Sequence, residues 1–504
     1  MKKQTKKSFC IMLVLILVLS VISSCASEKT ETPEGIVNPA AGQQNDTITE
    51  ESEEEAGRLP FEPTIIDLGG RTFTIANCAW NATETTSDQR CTVAEEQTGE
   101  TINDAVYTRN MAIIDMFNCN IAQEKFQDNG ALLTGIRRLV NAGDNTFDAA
   151  YIRFNGNLSP LASGNFLLDL KQMPNMDLTN PWWDQNIVAE TSIANKLFAV
   201  TGDIQILDKG AINAFVFNKK LQSDYQIEDL YSLVTNGQWT LGKMLEISRQ
   251  ISADLNGDGI MDEHDRYGLL YYRDSIPAFL AGAGEKIASK DANDLPYLSF
   301  NNEKVYSALD SIYEVIYDEN VAFHTMRAFG DTGFIVQGGA MFQNDQALLM
   351  YIRMTEIETL RGMETDFGIL PFPKYDENQQ NYLSLVNAMI GSALAVPSTA
   401  DPEVSSAVLE AMAYESRYTL MPAYYDVMLR TKIARDDDSE EMLNIIFTNM
   451  TYDIGGIYAL GPIDNELMYH TMTLNRNMAS FYERNEPRAQ RDIDRLVEAI
   501  LGLD

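Results

Sequence analysis

Residues Ile193–Lys220, IANKLFAVTGDIQILDKGAINAFVFNKK, decide how this chain is organised. Two apolar runs of β-branched and aromatic residues, Leu197–Val200 and Ala214–Phe217, flank a short polar passage, and the second run ends in Asn218 and two lysines. Runs of this kind, bounded by polar residues, read as strands. Everything before the stretch forms one series of strands and helices and everything after it starts another, so the stretch is a crossover.

Upstream, "RTFTIAN" reads as a strand and Asn103–Phe117 as a helix carrying Val106, Tyr107, Met111, Ile113, Ile114 and Phe117 on one stripe. "CNIAQEKF", "GALLTGIRRLVNAG" and "FDAAYIRF" continue as strand, amphipathic helix and strand. A βαβαβ series predicts a doubly wound parallel sheet, in which ligands lie beyond the carboxyl ends of the strands. That rule points to Trp80 after the first strand and to Arg153 and Asn155 after the third. Downstream come a helix from Thr240 to Ile251 with Thr240 as N-cap, a strand in "YGLLYYR", and a helix through Val305, Leu309, Ile312 and Ile316. The strand in "ILPFPK" stops at its prolines, which cannot donate to a ladder. "MIGSALAVPSTADPE" reads as a return strand, and "DIDRLVEAILGLD" as a docked terminal helix through Ile493, Leu496, Val497, Ile500 and Leu501.

The passages "NKLFAVTGDI", "AFVFNKKL" and "QWTLGKMLEI", followed in order by "FIVQGGAMFQ", "FGILPFPKYDENQQNY" and "ALAVPSTADPEVSSAVLEAMAYES", resemble family 1 extracellular solute-binding proteins of ABC importers. The resemblance covers nearly all of the chain after Leu59. It implies an α/β, two-lobe, type II periplasmic-binding-protein-like fold with a mainly parallel sheet in each lobe and hinge crossovers between them. Lobe 1 is expected to take residues 61–212 and about 388–420, and lobe 2 residues 213–387 and about 421–504. The resemblance further implies a monomer that captures a small solute, a sugar or oligosaccharide, and delivers it to the transmembrane subunits of an ABC permease, without catalysis. Two other readings share the same residues: a surface glycoside hydrolase, which needs only two well-spaced carboxylates, and a lipoprotein presenting its ligand to a membrane sensor.

Composition agrees with a large soluble body. The 504 residues are 45% hydrophobic, enough for the cores of two or three domains. Asp and Glu number 73 against 38 Lys and Arg, a formal net charge of −35, which excludes a phosphate-backbone partner. At the amino end, Lys2, Lys3, Lys6 and Lys7 precede an apolar run, Phe9–Ile22, that is too short to span a bilayer. Ile22-Ser23-Ser24-Cys25 matches a bacterial lipobox, so residues 1–24 are expected to be a signal peptide and Cys25 the lipidated first residue of an extracellular, membrane-anchored protein. Several acyl chains together anchor durably where one does not. The remainder up to Pro60 is acidic and poor in core formers, a tether whose coil dimension is about 30 Å.

Three cysteines stay in the folded part, Cys78, Cys91 and Cys119, with no C-x-x-C spacing. One disulfide or three buried thiols would both satisfy the sequence. Hydrolase and nucleotide motifs are missing: there is no H-E-x-x-H, G-x-S-x-G or G-x-x-x-x-G-K-[ST].

For a carbohydrate ligand, aromatic faces stack on sugar C–H faces while polar groups bind hydroxyls. Trp80, Trp182, Trp183, Tyr272, Phe342, Tyr424 and Tyr425 are the expected platforms, with Arg153, Asn155, Asp203 and Asp345 as polar contacts. The tryptophan pair in "NPWWD" stands in a turn-rich setting that makes a regular buried element unfavourable, so either the pair is exposed or half exposed, or one of the two plugs the core. The sharpest local motif is "DLNGDGIMDEHD", Asp254–Asp265. Asp254, Asn256, Asp258, the Ile260 carbonyl, Asp262 and Asp265 occupy the ligand positions of an EF-hand-type calcium loop, with Gly259 at the turn. A structural calcium ion pinning the second lobe is expected there.

Overall fold

A computed structural model describes residues 57–78, 88–430 and 437–503, and Leu59–Asp504 forms one compact unit. The signal segment, Cys25, the tether as far as residue 56 and Trp80 lie outside the described residues.

In chain order the strands are β1 (Thr72–Cys78), β2 (Asn120–Phe126), β3 (Ala149–Arg153), β4 (Asn213–Asn218), β5 (Tyr267–Tyr271), β6 (Ala288–Lys290), β7 (Pro296–Leu298), β8 (Ala322–His324), β9 (Ala347–Arg353), β10 (Phe367–Leu370), β11 (Ser384–Leu385), β12 (Ser392–Ala395) and β13 (Met450–Thr451). Two sheets carry the architecture, one ordered β12-β3-β1-β2 and one ordered β10-β4-β9-β5-β8. In the first, β1 runs parallel to β2 and β3, as the βαβαβ series requires, and β12 returns antiparallel to β3. In the second, β5 is parallel to β8 and β9, while β4 is antiparallel to β9 and β10. The antiparallel strands β4 and β12 are those that the chain enters directly from the other sheet. Strands β3, β4, β5, β9 and β10 are buried along their whole length, the mark of strands covered on both faces by helices.

Among the described residues two segments cross between the sheets, and they pair with each other. The first leaves the β12 edge at Val200, which bridges to Leu394, and reaches β4 at Asn213. The second runs back through β11 to β12, and Ile212 bridges to Val386 while the Asn387 amide donates to the Ala211 carbonyl at 2.9 Å. Strand β13 lies beside them, pairing with β11 through Ser384↔Met450 and Leu385↔Thr451. Adjacent crossings bonded side by side can twist together without breaking either sheet, the geometry that a hinge needs. The run Leu197–Val200 forms no strand of its own and meets the sheet only through the Val200 bridge.

Local sequence sets the helix ends. Thr240 caps the helix Leu241–Arg249, its hydroxyl accepting from the Lys243 amide at 3.3 Å. The terminal helix Met478–Leu501 buries Ile493, Leu496 and Ile500, whereas Leu501 is exposed. The helix Leu420–Arg430 packs on Thr101–Phe117 and Pro402–Tyr418, so the chain stays with the first sheet's helices as far as Arg430. Cys78, Cys91 and Cys119 are buried thiols.

Candidate functional site

The parallel strands of the second sheet end, at their carboxyl edge, in a group of buried charge. Arg353, the last residue of β9, gives its backbone N–H to Glu356 at 3.1 Å and its Nε at 2.6 Å, with a further close Nη2 contact to the same carboxylate. Its Nη1 lies 3.6 Å from Asp274, which follows β5, and its guanidinium sits 5.6 Å from the centre of the Tyr272 ring. Burial opposes the Arg353 charge, but Glu356, Tyr272 and Asp274 outweigh it and hold the group cationic. The Tyr272 hydroxyl donates to Glu356 at 3.0 Å. Asp274 also accepts from Asn387 on the second crossing, at 3.1 Å. The sheet's carboxyl edge is thereby tied to the hinge.

Beside this group lies a cavity of about 20 Å³, room for one water-sized group, lined in part by Asn213, Asp274, Asn387, Asp453 and Asp464. Asn213 is satisfied on both sides, accepting from Tyr351 at 2.7 Å and donating to the Leu385 carbonyl at 3.1 Å. Asp453 accepts from the amides of Ile287, Gly455 and Ala288 at 2.6, 2.8 and 3.3 Å. Asp464 differs: its Oδ2 is buried without a hydrogen-bond partner. Burial, reinforced by the charges of Asp453 and Asp274, pushes its carboxyl up to about 7.

A second buried group sits on the first crossing. Lys209 donates to the Gly202 carbonyl at 3.1 Å and to Asp208 at 3.2 Å. Burial pushes the Asp208 carboxyl up to about 6 despite the lysine, and Asp184 adds to the rise. Lys209 is held cationic against its own burial by Asp208, Asp203 and Asp184. Asp203 bonds Arg417 at 2.9 Å, and Tyr425, 37% exposed, faces the same group. The structure thus brings together Asp203, Tyr424 and Tyr425 from the expected set, around two residues, Asp208 and Lys209, that the sequence had left inside a polar passage.

The other expected residues scatter. Arg153 donates to the Ile390 carbonyl, and Asn155 takes the Ala388 carbonyl on its amide at 3.1 Å, so both pin the second crossing. Tyr272 is wedged between Tyr351 and Phe334 at 4.5 and 4.6 Å and positions Glu356. Phe342 is fully buried. Asp345 sits at the opposite edge of the second sheet, bonded to Asn218 at 2.7 Å and Thr365 at 3.0 Å. The seven residues of β9, about 23 Å, separate it from Arg353.

Trp182 and Trp183 are both buried, each 2% exposed, which corrects the exposed or half-exposed reading and goes beyond the alternative of one plugging the core. Their indole N–H groups donate to opposite oxygens of the buried Glu410, at 2.9 and 2.8 Å. Trp182 also meets Phe61 and Tyr414 edge-on, each at 5.2 Å. The turn lies flat against the first crossing through a Trp183↔Gly202 bridge, and a Cβ on Gly202 would fall 2.2 Å from the Trp182 carbonyl oxygen. Gly202→Ala is therefore expected to cost roughly 3 kcal/mol, read as a lowered urea midpoint. An unchanged midpoint would show that the turn can move away.

In the Asp254–Asp265 loop the side chains bond the loop's own amides. Asp254 accepts from Gly257 at 2.6 Å and Gly259 at 2.8 Å, and Asp265 from Leu255 at 2.8 Å and Asp262 at 2.9 Å. Among the described residues no three His, Cys, Asp or Glu side chains are grouped to hold a metal ion.

No protein-family model and no curated protein matches the chain by sequence. Solved structures do match in fold. The galacto-N-biose-/lacto-N-biose I-binding protein of an ABC transporter from Bifidobacterium longum, in complex with lacto-N-biose, has a TM-score of 0.55 at 13% identity, over 86% of this chain and 98% of that one. UspC from M. tuberculosis has a TM-score of 0.56 at 15% identity, over 84% and 100%. A family 1 extracellular solute-binding protein from Bifidobacterium longum subsp. infantis has a TM-score of 0.50 at 12% identity, over 86% and 100%. With its two helix-flanked sheets and paired crossings, the chain has the two-lobe, type II solute-binding-protein fold.

Proposed function

We propose that this protein is the extracellular solute-binding lipoprotein of an ABC importer, closing its two lobes on a carbohydrate and presenting it to a membrane permease. The observation that carries the reading is the hinge: two paired crossings, flanked by β13, beside polar groups gathered at the carboxyl edge of a sheet. A ligand shifts such a hinge only through contacts that differ between open and closed forms, and groups tied to the crossings can make such contacts. Sugar binding is supported by the similar fold that holds lacto-N-biose. Binding without turnover is part of the proposal. Lipid anchoring at Cys25, the acidic tether and an extracellular location rest on the first 60 residues of the sequence. The proposed lobes are residues 61–212 with about 388–420, and 213–387 with about 421–504; the packing of Leu420–Arg430 on Thr101–Phe117 favours carrying the first as far as Arg430.

A thermal-shift screen of mono- and oligosaccharides, amino acids and peptides tests this, because a ligand of the folded form alone raises the melting temperature. A saccharide at a hundred times its Kd is expected to add about 2.7 kcal/mol. If amino acids or peptides shift the protein and saccharides do not, the carbohydrate assignment falls. Reducing sugar released during the incubation would turn the reading to a glycoside hydrolase.

Calcium is proposed for the loop Asp254–Asp265. Each carboxylate oxygen that accepts one N–H keeps a lone pair, and the ligand positions carry oxygen donors throughout. The side chains would have to draw together around the ion. Millimolar calcium is expected to raise the melting temperature and excess chelator to reverse it. No response in the wild type and in Asp254→Ala/Asp258→Ala alike would leave the loop as a turn closed by its own amides.

A further inference from the structure

The cavity beside the hinge has an unbalanced charge. Three carboxylates approach it, and two are answered. Asp274 meets Arg273 at 3.3 Å, Arg353 at 3.6 Å and Asn387 at 3.1 Å. Asp453 holds three backbone amides, and the charge of Lys286 acts on it. Asp464 is nine-tenths buried, and among the described residues its Oδ2 has no hydrogen-bond partner and no cation acts on it. That oxygen faces Gly456, where a Cβ would stand 3.5 Å from it, so the missing side chain leaves the space in front of the carboxylate open. The lining also carries apolar groups, from Pro277, Leu385, Val386, Ala388 and Met468.

A buried carboxylate without a partner is costly, and a group that both donates hydrogen bonds and carries positive charge relieves the cost best. The head of a protonated amine, –NH3+, is about the size of a water molecule and matches the space. A hydroxyl fits the volume but leaves the negative charge uncompensated. We infer that this cavity takes the protonated amine of the solute, so that the preferred ligand is an amino sugar with a free amine. The inference rests on the solute-binding reading and narrows its substrate class. The net charge of −35 favours the approach of a cationic ligand.

The test uses the purified chain and three matched β-1,4 disaccharides that differ only at C2: chitobiose with free amines, N,N′-diacetylchitobiose and cellobiose. Calorimetry at pH 7.5 is expected to show chitobiose binding at least tenfold tighter than either of the others. Asp464→Asn keeps the volume and removes the charge, and it is expected to abolish the preference while the variant melts no lower than wild type. Cellobiose or the diacetyl sugar binding as well as chitobiose, or a preference that survives in Asp464→Asn, overturns the amine assignment alone. Binding of none of the three, together with no shift from any saccharide in the wider screen, overturns both this inference and the carbohydrate reading.

Discussion

Asp464→Asn is expected to raise the melting temperature at pH 8 by about 4 °C and to flatten the stability profile between pH 4 and 7. Burial and the charges of Asp453 and Asp274 lift the folded-state carboxyl to about 7, from an ordinary value near 3.8. The folded state therefore holds a proton that the unfolded chain has released, and stability falls as pH rises through this window. The stabilising protonated form is complete below pH 4 and lost above pH 7. The difference amounts to on the order of 4 kcal/mol at pH 8. Asp208, lifted to about 6, acts with the same sign, so the wild type keeps part of the slope even when Asp464 is removed. The comparison that decides is wild type against Asp464→Asn, melted at pH 4.5 and pH 8. Equal melting temperatures at both pH values would mean that Asp464 is satisfied in solution.

The second large effect concerns Glu410. Its two carboxylate oxygens accept from Trp182 and Trp183, from Asn180 at 2.7 Å and from the Asp177 amide at 3.3 Å. Burial pushes its carboxyl up, and these four donors pull it back. Glu410→Leu leaves two buried indole N–H groups without an acceptor and is expected to cost roughly 3–5 kcal/mol. Glu410→Gln keeps one acceptor oxygen and is expected to lose about half of that. Trp182→Ala is expected to cost a similar 3–5 kcal/mol through the cavity it opens beside Phe61 and Tyr414. In each case the loss appears in the denaturation midpoint, and the variants bind solute with unchanged affinity where they are folded. A Trp182→Phe/Trp183→Phe variant that keeps its midpoint but loses solute affinity would return the pair to the binding site.

Much of the fold was legible without coordinates because its signals are local. Alternation of apolar runs and amphipathic periods marked β1 to β3 and their helices, the hydroxyl of Thr240 marked a helix start, and the prolines after Leu370 marked a strand end. The apolar run Ala214–Phe217 became the fully buried β4 for the same reason. The order of passages along the chain was enough to imply two lobes and crossings between them.

The site was not legible in that way, because it is assembled from residues far apart in sequence. Asp274, Asn387 and the pair Asp453 and Asp464 come from three separate segments, and nothing around Asp464 in the sequence distinguishes it from the other acidic residues. The tryptophan pair misled for a related reason: a turn-rich neighbourhood suggests exposure, and only the distant Glu410, on another helix, supplies the buried acceptor that makes indole burial favourable. Sequence by itself determined the elements, their order and the acidic surface, because backbone propensity and hydrophobic period act over a few residues. Tertiary structure alone decided which charges are buried and which of them lack a partner, because desolvation and pairing depend on distances that the chain sets only when it folds.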